Sequence, residues 1–124
     1  MRPGFSFRDL IAWQQAMKLC MTIYALTACF PPEERFGLSG QMRRAAVSIA
    51  SNIAEGHARP TRGFVQFLMI ARGSHAELET QLEIARGLGF GDLRKLESAE
   101  RLSVEVGKLL TGLTKSIQSR VSQS

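Results

Sequence analysis

Two cysteines, two histidines, one tryptophan and one tyrosine leave this 124-residue chain short of the side chains on which much protein chemistry is built. Cys20 and Cys29 fall nine residues apart in one expected helix, so they point to different sides and cannot join. No CxxC pair or Cys/His cluster exists, which removes a zinc site and leaves reduced thiols of a cytoplasmic protein as the simplest expectation. Neither His57 nor His75 has a glutamate three residues before it, so the Glu-x-x-His pairs of di-iron bundles are absent. No metal or cofactor is expected. Serine catalysis finds no Gly-x-Ser-x-Gly elbow, since Arg72-Gly73-Ser74-His75 lies inside a helical pattern. Gly87, Gly89 and Gly91 follow no strand and read as a helix stop and turn, not a dinucleotide fingerprint. The chain is therefore expected not to be an enzyme. Its most apolar window, Leu19 to Phe30, is far shorter than the roughly 20 residues that span a bilayer. The stretch from Met1 to Asp9 has no apolar run resembling a signal peptide.

Period-two alternation is missing as well, with no Asn-Gly or Asp-Gly turn, which argues against strands. What remains is one all-α domain over 1–124, with helices expected at 9–29, 39–55, 61–87 and 92–119 and a frayed tail after them. Asp9, Ser39, Thr61 and Asp92 stand where caps are wanted, Pro31-Pro32 stops the first helix, and Gly56 fits a C-cap of positive φ. Four long helices with short loops make an up-down-up-down bundle the default.

Stripe width separates the helices. The fourth has one stripe of Leu96, Ala99, Leu102, Val106, Leu109, Leu110, Leu113 and Ile117, with charged residues opposite. The first has two: Leu10, Trp13, Met17, Cys20, Met21 and Tyr24, then Ala12, Ala16, Leu19, Ile23, Leu26 and Phe30. So wide a surface exceeds what a peripheral helix of a small monomer needs. The second stripe is therefore expected at the contact of a homo-oligomer; the alternative is that this helix is central in its own bundle.

At about 100° per residue, Gln41, Arg44, Ser48, Asn52 and Glu55 share one narrow face of the second helix. Small polar groups in the middle of that face suggest close approach of another helix. Ser48, Asn52 and Glu55 are expected to meet Ser74, Glu77 and Gln81 of the third helix in a register-fixing network. The same groups could instead build a ligand site.

These residues carry a resemblance. Phe7-Arg8-Asp9-Leu10, Trp13, Phe36-Gly37-Leu38, the run 41–46, Ser51-Asn52-Ile53-Ala54-Glu55-Gly56 and Gly73-Ser74 with Glu77-Leu78-Glu79 resemble the proteins encoded in intervening sequences of bacterial 23S rRNA genes, the S23-type family. The likeness covers about residues 5–90, and it departs at Ala50, where the family often has proline. It implies a left-handed four-helix bundle assembled as a homopentamer. It also extends to the accessory proteins of diversity-generating retroelements, which bind nucleic acid and a reverse transcriptase, and it brings no catalytic residues.

A net charge of +5 and a pI near 9.9 are compatible with a polyanion partner. Arg59 and Arg62 flank Thr61 at a helix start, an arrangement suited to phosphate, and Arg43, Arg44 and Arg72 are the further candidates. In a pentamer the net charge would come to about +25, five times that of one chain. Base stacking is not expected of this surface. The expected function is a pentameric scaffold that binds RNA or DNA through phosphates. The alternative is an assembly module with protein partners and no nucleic-acid ligand, its basic surface merely solvated.

Overall fold

The chain is described here by a computed structural model covering residues 5–123. Met1 to Gly4 of the N-terminal stretch and Ser124 of the expected tail lie outside those residues. Helices Ile11–Thr27 (α1), Leu38–His57 (α2), Thr61–Leu88 (α3) and Leu93–Gln123 (α4) alternate in direction, and no strand occurs among the described residues. Each helix packs on the next and α4 closes on α1, so α1 and α3 stand on one diagonal and α2 and α4 on the other. No helix among the described residues is long and apolar enough to cross a membrane.

The helix ends differ from expectation in physically simple ways. Asp9 does not cap α1: it closes a 3-10 turn, Phe7–Asp9, where Ser6 N donates to Asp9 Oδ2 at 2.8 Å and Arg8 N to Ser6 Oγ at 3.1 Å. Extended Leu10 then separates Asp9 from α1. α1 stops at Thr27, where Cys29 N and Phe30 N bond back to Leu26 and Thr27 in tightened turns ahead of Pro31. Ser39 is buried inside α2, and the free Leu38 N–H is capped by Glu34 Oε1 at 3.0 Å. Gly56 is helical and not a C-cap. The positive φ values fall at Gly89 and Gly91, 70° and 80°, in the α3–α4 turn, where Asp92 Oδ1 accepts from Lys95 N. Residues 120–123, expected to fray, continue α4, with Ile117 buried and Val121 half-buried against the bundle.

The core settles the oligomer stripe. Ala12, Ala16, Leu19, Ile23, Leu26 and Phe30 are all buried within this chain, so they cannot form the subunit contact assigned to them. A four-square bundle asks α1 to face both α2 and α4, and that uses the width. Leu19, Ile23 and Leu26 are fully enclosed, each contributing about 1.5–3 kcal/mol of transfer free energy. In α4 the buried positions are Leu96, Ala99, Ser103, Val106, Leu110, Thr114 and Ile117, spaced three and four apart as in interdigitating helices. Cys20 is a buried thiol whose pKa is raised by burial, while Cys29 is exposed.

Candidate nucleic-acid interface

Antiparallel packing of α3 on α4 brings two stretches together that share an omission. Between Glu55 and Glu77, and again after Glu105, the sequence has no acidic residue. The first stretch holds Arg59, Arg62 and Arg72; the second holds Lys108, Lys115 and Arg120. The register is set by His75 Nε2, 2.7 Å from Ser103 O, and by the Arg86–Glu100 ion pair nearer the α3–α4 turn. All six cations thus fall in the half of the α3/α4 layer remote from that turn.

Within this half, an open groove of about 710 Å³ runs between the two helices, lined by Arg72, Lys108 and Lys115 together with Gly107 and Gly112. Further along, Arg62 faces Gln118 and Ser122 across a second depression. Carboxylates begin at the other end of the groove, where Glu79 accepts from Ser103 Oγ at 3.1 Å, and Glu83 and Glu100 continue the seam. His75 marks the border. Since a carbonyl can only accept, the His75 Nε2 proton is given to Ser103 O. Ser103 is itself fully buried, so this Ser-His-Glu cluster presents no accessible nucleophile.

The five arginines proposed from sequence do not form one surface. Arg43 donates Nε to Thr27 Oγ1 at 2.8 Å and lies 4.7 Å from the Tyr24 ring, committed to the α1/α2 side. Because Ser48 stands opposite Ser74, Arg43 and Arg44 are level with about residue 78 of α3, in the carboxylate half. Arg59 lies over Phe67 at 5.1 Å, and Arg62 and Arg72 are exposed on α3. Thr61 does not cap α3; Pro60 occupies the N-cap and makes no side-chain cap hydrogen bond. Lys108, Lys115 and Arg120 were missed, although the two acid-free stretches that contain them are visible in the sequence.

Of the six side chains expected in the inter-helix network, three come together. Ser48 Oγ and Ser74 Oγ are 2.8 Å apart, and Asn52 Nδ2 donates to Ser48 O at 2.8 Å and Ser48 Oγ at 3.0 Å. Glu55 and Glu77 are exposed, and Gln81 is 4% exposed with Oε1 unpartnered among the described residues. No group of three or more metal-ligating side chains is gathered among the described residues.

A family model for the 23S rRNA-intervening sequence protein matches residues 8–112. A crystal structure of a protein with unknown function from the S23 ribosomal protein family of Bacteroides thetaiotaomicron VPI-5482 is similar at a TM-score of 0.77. It is 26% identical, over 87% of this chain and 98% of that one. None of the curated proteins matches.

Proposed function

The chain belongs to the 23S rRNA-intervening sequence protein family, and from that premise we propose that it is a cytoplasmic, non-catalytic, homo-oligomeric scaffold that grips RNA or DNA by the phosphate backbone. The observation that carries this reading is the acid-free half of the α3/α4 layer. Arg62 and Arg72 are ten residues apart, roughly 15 Å along the helix axis. That length matches about four phosphate-to-phosphate steps of one strand along a duplex axis. Lys108 and Lys115 supply the opposite wall of the same groove. Flexible cations on an open groove position a backbone without reading its sequence.

Self-association multiplies this field, and the reading takes a pentamer as the assembly. The apolar groups available for it are not those of α1's buried stripe. They include exposed Met69, Ile70 and Ile84 on α3 near Gly73, whose surroundings are open, Val47 on α2, and Ile11 and Met21 on α1. A second reading, an assembly module for protein partners, draws on Phe36, 87% exposed at the α1–α2 corner.

Fluorescence anisotropy with duplex RNA and DNA over about 50–200 mM salt tests the reading, since a multi-contact phosphate binder loses affinity steeply there. Light scattering on the same samples gives the assembly mass. Affinity with a steep salt slope supports the proposal. No binding at the lowest salt rejects it, and an oligomer without binding leaves the assembly module standing.

A further inference from the structure

A second concavity lies at the same end of the bundle, distinct in chemistry from the groove. It is a cleft of about 490 Å³, within the size range of small-ligand sites. Leu113 and Ile117 of α4 form an apolar wall with Leu10 and Phe64. Beside it is a ring cluster: His57 lies 5.4 Å from Phe5 and 5.9 Å from Phe64. Arg59 and Arg120 also line the cleft; among the described residues no carboxylate lines it and neither arginine is ion-paired. The structure thus brings the Phe5 ring, from before the first helix, beside His57, Phe64 and these basic residues.

We propose that this cleft holds one unstacked nucleotide of a bound strand, its base among the rings and aliphatic wall and its phosphate on Arg59 and Arg120. A neutral apolar ligand would give Arg120 and the Phe67-stacked Arg59 no anion, and an inorganic anion would leave the apolar wall wet. A flat π-system carrying an anion satisfies both, and aromatic side chains accept any base face. Continuity with the groove singles out a nucleotide. Thr61 and Ile117 line the cleft, while their chain neighbours Arg62 and Gln118 line the basic depression. A strand held along α3/α4 therefore reaches the cleft at its end. The inference rests on the backbone-binding reading for its polymer, but the cleft can be tested alone.

Calorimetric titration of the full chain with AMP, adenosine, inorganic phosphate and decanoate is the first experiment. Saturable AMP binding is expected, with adenosine and phosphate each weaker by about tenfold or more. Phe5→Ala and His57→Ala, both outside the groove, should weaken AMP by about tenfold and leave a blunt duplex bound as before. A duplex with a three-nucleotide overhang should bind the native protein more tightly than the blunt one and lose that advantage in Phe5→Ala. If blunt duplex binds and AMP does not, the cleft proposal is overturned while the groove reading stands. Decanoate that binds more tightly than AMP and displaces it also overturns the proposal, making the cleft an aliphatic-acid site. If AMP binds and no duplex, blunt or overhung, does, the groove reading falls and the proposal is overturned in its strand, leaving a site for a free nucleotide.

Discussion

His75 and Gly107 share one space: a Cβ at Gly107 would come within 2.6 Å of His75 Cε1. The imidazole is held there by Ser103, so it cannot swing away without losing a hydrogen bond of about 0.5–1.5 kcal/mol. Gly107→Ala should therefore forfeit the gain of roughly 1 kcal/mol that alanine brings inside a helix. Gly112→Ala, on the same helix with open surroundings, should keep that gain. The thermal unfolding midpoint should rise in Gly112→Ala and not in Gly107→Ala.

Gly56 faces a stricter limit, because its absent Cβ would sit 2.8 Å from both Phe64 Cδ1 and Phe67 Cβ. Phe64 is buried and Phe67 Cβ is fixed by the α3 backbone. Gly56→Ala should cost about 1–3 kcal/mol by overpacking, seen as a lower denaturation midpoint with an unchanged slope.

Ser48 and Ser74 form the polar link between α2 and α3, while Asn52 bonds within its own helix and orients Ser48. Ser74→Ala should cost about 1 kcal/mol. A double-mutant cycle with Ser48→Ala should show coupling of at least about 0.5 kcal/mol; additive effects would remove the link.

Glu100 receives Arg86 Nε at 2.8 Å and Nη2 at 2.6 Å. These hydrogen bonds hold its carboxyl below the ordinary value of 4.5, against the upward push of partial burial. A depressed acid contributes stability that is present above pH 4.5 and lost as pH falls through the lowered value. Arg86→Gln should therefore be less stable than the native chain near neutrality, and the difference should close in acid. Glu100 itself, followed by carboxyl NMR, should titrate higher in the variant.

On the basic groove, Arg72→Gln and Lys108→Gln should each weaken duplex binding and reduce the salt slope by about one unit. Arg43→Gln should leave that slope unchanged and lower the melting temperature, since Arg43 is spent on Thr27 and Tyr24. A slope that falls with Arg43 and not with Lys108 would put the interface on the α1/α2 side.

Helix number, order and approximate limits could be read from the sequence, because four apolar stripes are separated by proline, glycine and a working cap at Asp92. The α4 stripe was read without Ser103 and Thr114, yet both are fully buried. Each hydroxyl finds a partner, Thr114 at Leu110 O and Ser103 at Glu79, and so packs like a small apolar group. Polarity alone hides such positions. The breadth of α1 was legible but its cause was not, since one helix cannot reveal how many neighbours it meets. The cleft was out of reach of spacing altogether: Phe5, His57 and Phe64 come from a pre-helical segment and two helices, and become neighbours through the fold.

The confinement of the acidic residues of α3 and α4 to the half near their turn, with cations along both halves, also gives the molecule a permanent electric moment along the bundle axis. A polyanion at a distance exerts a torque on it, turning the Arg62 and Arg120 end forward before any surfaces touch. Collisions would then arrive already oriented, and the association rate would fall with ionic strength even where the final contacts stay the same.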